Sequence, residues 1–213
     1  IYTVTFSPNG RTLASAGEDG SIRLWDSWSG QLLHMQEGQF DGFFYDIAFS
    51  PDGRTLASTG EDGTVRLWDA GSGQLLHMLE GQIDGFYGIA FSPDGKTLAS
   101  VGEDDTVRLW DSGSGQMLHM LEGHTDDIHS ISFSPDGRTV ASAGQDGTVR
   151  LWDAGGGELL HILEGHGDQW VNSFTFSPDG RMLASVGYDG KLCLWDGESG
   201  NLLRVLVVVD DRY

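Results

Sequence analysis

Short extended segments separated by turn-forming clusters run along the whole chain. From Ile128 to Phe133 large and small side chains alternate, with Ile131 and Phe133 on one side and Ser130 and Ser132 on the other. A period of two predicts a β-strand. Pro135-Asp136-Gly137 follows. Proline presets the first turn dihedral, Asp bonds its neighbouring backbone and Gly accepts the left-handed conformation, so a hairpin turn is predicted there. A second strand is expected from Arg138 to Ala143, and a tight turn at Asp146-Gly147 leads into a third, Thr148 to Trp152. The Gly-rich stretch Asp153 to Gly157 then precedes a fourth, Glu158 to Leu163.

This unit recurs. Phe-Ser-Pro starts at Phe6, Phe49, Phe91, Phe133 and Phe176, at intervals of 43, 42, 42 and 43 residues, and holds every proline of the chain. Trp-Asp, at Trp25, Trp68, Trp110, Trp152 and Trp195, keeps the same intervals, so Phe to Trp is a constant 19 residues. The one-residue variation lies upstream of each Phe, where loops tolerate insertion. Five repeats of four strands predict an all-β chain of five four-stranded antiparallel blades, with approximate boundaries 1–38, 39–81, 82–123, 124–165 and 166–213. A β-sandwich has no reason to repeat one unit five times, whereas radially arranged sheets need the same apolar wedge from each unit.

Charge narrows the partners. In 213 residues, 12 Lys and Arg face 32 Asp and Glu, a formal charge of −20, which excludes a basic nucleic-acid grip. Apolar residues make up 38% of the chain, enough for a sizeable core. The single cysteine, Cys193, forms neither an internal disulfide nor a zinc cluster and leans toward a reducing, cytoplasmic location. The longest strongly apolar run, Val205 to Val209, falls far short of a membrane-spanning helix. No signal peptide is read, and the chain starts at Ile1, so targeting information is expected to lie elsewhere.

Gly123-His124 and Gly165-His166, Phe-Ser-Pro-Asp-Gly, Leu-Ala-Ser and Asp-Gly-Thr-Val-Arg-Leu-Trp-Asp occur in order, and with this spacing the chain resembles the WD-repeat β-propellers, in particular their near-identical bacterial versions. The resemblance covers essentially all of the chain. It implies a hydrogen-bonded network in the last two repeats, from the Trp152 indole to Ser142, His124 and Asp146, and from Trp195 to Ser185, His166 and Asp189. Gln39 and Gln82 replace the histidine in repeats two and three, where the network is expected to be weaker or rearranged. The family usually closes its ring with seven blades. Repeat one has only five residues before Phe6, and Arg204 to Val209 replaces the usual Leu-Glu-Gly-His, so part of a larger propeller or an incomplete ring is expected rather than a closed five-blade ring.

The Ser-His-Asp sets could be mistaken for hydrolase triads. Against that, no Gly-x-Ser-x-Gly elbow precedes either serine, and Ser15, Ser58 and Ser100 recur without a histidine. Glu103-Asp104-Asp105 lacks the alternating donors and distal Glu of a calcium loop. His34, His77, His119 and His161 occupy one position of the fourth strand, replaced by Arg204 in the last repeat, and are read as edge residues facing solvent. Cys193 takes the place of Arg23, Arg66, Arg108 and Arg150. Neither a metal site nor a cofactor is expected.

By the resemblance, one loop face rings a central hole. It presents Tyr2, Tyr45, Tyr87, His129 and Asn172; Phe43, Gly85, Asp127 and Trp170; and Glu18, Glu61, Glu103, Gln145 and Tyr188. Asp41, Asp46, Asp84, Asp105, Asp126 and Asp168 are read into the same loops. Exposed aromatics in acidic surroundings suggest a partner site. The leading expectation is a non-catalytic scaffold that binds a protein or peptide, basic in character, as one module of a larger chain or complex, with no direct nucleic-acid or membrane contact. The alternatives are a glycan or small-molecule binding propeller and a structural subunit assembling through blade edges.

Overall fold

A computed structural model describes residues 1–37, 44–81 and 85–207. Twenty strands form five antiparallel sheets of four, each in chain order from its innermost to its outermost strand. The first holds β1 (Thr3–Phe6), β2 (Thr12–Ala16), β3 (Ser21–Asp26) and β4 (Leu32–Glu37), and the second β5 (Phe44–Phe49), β6 (Thr55–Gly60), β7 (Thr64–Asp69) and β8 (Leu75–Glu80). The third holds β9 (Phe86–Phe91), β10 (Thr97–Gly102), β11 (Thr106–Asp111) and β12 (Met117–Glu122). The fourth comprises β13 (Ile128–Phe133), β14 (Thr139–Gly144), β15 (Thr148–Asp153) and β16 (Leu159–Glu164), and the fifth β17 (Val171–Phe176), β18 (Met182–Gly187), β19 (Lys191–Asp196) and β20 (Leu202–Val207). The innermost strands stand side by side along the arc, β1 next to β5, β5 next to β9, β9 next to β13 and β13 next to β17.

The first turn of each repeat works as its residues dictate. In the second sheet Asp52 Oδ1 accepts from Ser50 Oγ at 2.7 Å and from the Arg54 N–H at 3.0 Å, Ser50 Oγ accepts from the Thr55 N–H at 2.9 Å, and Gly53 takes a φ of 71°. At the second turn Gly20, Gly63, Gly147 and Gly190 are left-handed, and the third repeat places Asp105 there with a φ of 58°, the one non-glycine with positive φ among the described residues. Each third strand shifts register at its Trp, as between Leu67 and Trp68. A bulge of this kind re-aims one side chain while the ladder continues.

Four apolar clusters form the core, and each joins two neighbouring sheets. Ala99, Val101, Val107, Leu109 and Leu121 of the third sheet meet Ile128, Phe133, Val140 and Trp152 of the fourth. The other three clusters use the same repeat positions. Each fully buried Leu, Val or Ile is worth about 1.5–3 kcal/mol, so a sheet is held by its neighbours more than by itself. The five sheets do not close into a ring. Accordingly Val4 and Phe6 on the first sheet are 60% and 62% exposed, while Ile47 in Val4's place on the second is 4% exposed.

Candidate functional site

Trp, Ser, His and Asp side chains come together as the spacing implies. In the fourth sheet Trp152 Nε1–H donates to Ser142 Oγ at 2.9 Å, His124 Nε2 lies 2.8 Å from Ser142 Oγ, and His124 Nδ1 lies 2.8 Å from Asp146 Oδ2. In the fifth, Trp195 donates to Ser185 at 2.8 Å, with His166 2.8 Å from Ser185 and 2.9 Å from Asp189. Ser142 and Ser185 are fully buried. Their oxygens are engaged from both sides, and a serine so placed offers no open face to a substrate. Burial opposes ionisation of Asp146, but the His124 hydrogen bond and charge outweigh it and hold the carboxyl down at about 2. Asp189 is held at about 2 in the same way, against burial, by His166 and Lys191.

Where no histidine is in place, the Trp-to-Ser bond persists, at 3.0 Å for Trp25 and 2.9 Å for both Trp68 and Trp110. An arginine then takes the turn aspartate. Arg23 pairs with Asp19 at 2.7 Å, Arg66 with Asp62 at 2.5 Å and Arg108 with Asp104 at 2.6 Å, whereas Arg150, beside His124, stays 3.7 Å from Asp146. Gln39 and Gln82 lie outside the described residues. In the fifth sheet Cys193 occupies the arginine's place, buried, with burial pushing its thiol up.

The loop face carries a ladder of rings. Tyr45 meets Tyr87 edge-on with centroids 5.6 Å apart, Tyr87 and His129 are 5.0 Å apart, His129 and Trp170 6.0 Å, and Trp170 and Tyr188 5.7 Å. The reading that these residues all point free into solvent needs correction. Tyr45, Tyr87 and His129 shield one another and are half-buried, while Tyr2, Trp170 and Tyr188 are exposed. Asn172, Glu18, Glu61 and Glu103 are exposed as well, and Phe43 lies outside the described residues.

Carboxylates bind the ladder's rim. Tyr87 Oη donates to Glu103 Oε1 at 2.5 Å, and Gln145 Nε2 lies 3.0 Å from both Asp127 Oδ2 and His129 Nε2. Burial, then the Glu103 hydrogen bond and charge, push the Tyr87 phenol well above its ordinary value. Tyr45 is raised by burial and then by Glu61 and Glu103, and Asp127 by burial and then by Asp126. The face is therefore electronegative, and the described residues include no group of three His, Cys, Asp or Glu side chains arranged to hold a metal ion.

Asp46 does not belong to that rim. It sits on β5, where its Oδ1 accepts from Ile47 N–H at 2.9 Å and Thr3 Oγ at 3.4 Å, and its Oδ2 accepts from Ile89 N–H at 3.2 Å. One carboxylate thus ties the inner strands of three sheets. Burial raises it to about 6 despite those donors.

The WD domain, G-beta repeat family matches residues 1–26, 30–69, 73–111, 115–153 and 157–196. The chain belongs to the WD-repeat family. No curated protein matches it. Matched segments after the first run from the outer strand of one WD-repeat sheet through the first three strands of the next, so the unit of sequence is offset from the unit of structure.

A second correction concerns the outer strands. His34, His77, His119 and His161 do not simply face solvent, because each Nε2 reaches a backbone carbonyl in the next blade, of Gly71 at 2.8 Å, Gly113 at 3.0 Å, Gly155 at 2.9 Å and Glu198 at 3.0 Å. They are clasps between WD-repeat blades. Their signal in the sequence is that the histidine recurs at one position of the first four repeats, with Arg204 in its place in the fifth.

Proposed function

We propose that the chain is a non-catalytic interaction scaffold whose aromatic and acidic loop face takes a Lys/Arg-rich segment of a partner protein. WD-repeat proteins are in general protein-interaction scaffolds. The observation that carries the finer reading is the continuous ladder from Tyr45 to Tyr188, which begins with Tyr45 and Tyr87 against Glu61 and Glu103 and ends in the exposed Trp170 and Tyr188. Rings already stacked lose little freedom on binding, and amphipathic aromatics are frequent anchors of interfaces. The carboxylates steer a basic partner and raise its on-rate. In this reading the buried Trp-Ser-His-Asp sets hold blades together and perform no reaction.

Peptide-array capture followed by stopped-flow binding of a basic peptide tests this. Trp170→Ala is expected to speed dissociation, whereas Glu61→Lys with Glu103→Lys lowers the on-rate and its salt dependence. A peptide whose binding ignores all three changes sinks the proposal. A second reading has one observation in its favour: Gln169, Trp170 and Tyr188 line an open cleft of about 320 Å³, with the two rings at 89°. That corner would stack a sugar ring, and a glycan array would show it.

A further inference from the structure

We infer that the outer strands of the blades are edges for β-addition, and that each takes an extended segment of a partner protein. That segment is apolar at alternate positions and carries a Lys or Arg at the end that meets the strand's glutamate. The inference is independent of the loop face. It rests on β8, β12 and β16, whose blades each have a neighbouring blade on both sides, so their exposure owes nothing to the ends of the array.

β8 shows how such an edge is built. Leu79 is buried in the core shared with the third blade, and His77 Nε2 reaches the Gly113 carbonyl of that blade at 3.0 Å. A strand pinned in this way is a fixed template, and little freedom is lost when another strand pairs with it. Leu75, Leu76 and Met78 stay 47%, 48% and 49% exposed, and their counterparts on β12 and β16 lie between 42% and 51%. Natural edges are guarded by Lys, Pro or a bulge. β8, β12 and β16 contain no Lys, Arg or Pro, and beyond the register shift at each Trp the ladder runs unbroken, as from His77 to Glu80.

Charge names the occupant. Each of these strands ends in an exposed glutamate, Glu80, Glu122 or Glu164, which forms no ion pair among the described residues. Opposite charges facing each other across two strands stabilise the pairing and like charges oppose it, so a cation belongs at that end of the added strand. Alternate apolar side chains of the guest meet Leu76 and Met78, and an unbranched thioether adapts to varied shapes. A second copy of this chain fits badly. Antiparallel self-pairing of β8 would set Leu75 of one copy against Glu80 of the other, and two chains of charge −20 repel.

The probe is a synthetic peptide, one Lys followed by alternating Thr and Val, followed by hydrogen–deuterium exchange. It should slow exchange in residues 75–80, 117–122 and 159–164 and bind with a dissociation constant below about 1 mM. N-methylation of the alternate backbone amides that face the strand should abolish binding, whereas methylation of the other alternate set should not. Replacing the peptide's Lys by Glu should weaken binding by about fivefold or more, and Glu80→Lys with Glu122→Lys and Glu164→Lys should reverse that preference. These glutamates are exposed and outside every core cluster, so the variant keeps its fold. Trp170→Ala and Glu61→Lys with Glu103→Lys should leave this binding unchanged, which separates its failure from that of the loop face. No binding at 1 mM, protection confined to the loop face, equal binding of both methylated peptides, or a charge preference that ignores the glutamate exchange overturns the inference. So does concentration-dependent protection of the outer strands without peptide, which would make a second copy the occupant.

Discussion

His119 Nε2 lies 2.9 Å from the carbonyl oxygen of Gly155, so the outermost strand of the third blade is fastened to the turn between the third and fourth strands of the fourth. The pair is partly solvent-facing, and a hydrogen bond of this kind is worth about 0.5–1.5 kcal/mol net. His119→Ala is expected to lower stability by that amount in urea unfolding. Combining it with His34→Ala, two blades away, should give an additive loss, since the two clasps share no partner.

Trp152→Phe keeps most of the apolar ring but leaves Ser142 without its indole donor in a fully buried setting. The expected loss is roughly 1–3 kcal/mol. Trp25→Phe should cost less, because Trp25 lies on the open face of the first blade and is only half-buried. Thermal melts of both variants check the ordering.

Asp105 holds a left-handed φ of 58°, and its carboxyl is raised by burial and by the charges of Asp126 and Asp104. Glycine occupies that place in the other four repeats. Asp105→Gly relieves both the backbone strain and the repulsion at the cost of unfolded-chain entropy, and is expected to stabilise by about 0.5–1 kcal/mol. A denaturant midpoint no higher than wild type's would refute this.

Asp46 is raised from the ordinary 3.8 to about 6, chiefly by burial, so between those values the folded chain binds more protons than the unfolded one. Stability from this group is therefore greatest below pH 4 and is lost as pH rises through about 6, on the order of 1–3 kcal/mol in total. Asp46→Asn should flatten the stability profile across that window. Urea midpoints at half-unit intervals of pH would show it.

The turns were readable from the residues because their causes are local, whereas the Trp-to-Ser bonds were implied by the resemblance to the WD-repeat propellers. Ser50, Asp52 and Gly53 complete a turn among themselves, and Trp68 reaches Ser58 across one hairpin. What escaped reading depends on the angle between successive sheets. Gly113 lies 36 residues beyond His77, and nothing near His77 tells that the next blade's turn will arrive beneath it. Asp46 was misplaced for a related reason. Its neighbour Tyr45 does face the loop side, but the alternation along β5 turns Asp46 toward Thr3 and Ile89, residues of two other sheets. The arginines escaped too, since their swing toward Asp62 and Asp104 happens only where the histidine is replaced.

The offset between matched segment and sheet also bears on how such an array grows or shrinks. A genetic exchange between two repeats adds or removes 42 or 43 residues, one outer strand followed by three inner ones. Because the repeats are in phase, an exchange at matching positions leaves four strands in every sheet, and a unit bounded like the matched segments starts with an outer strand that ordinary ladder bonds lace to the preceding sheet. Blade number can then change in single steps through unequal recombination, with no intermediate that exposes half a sheet.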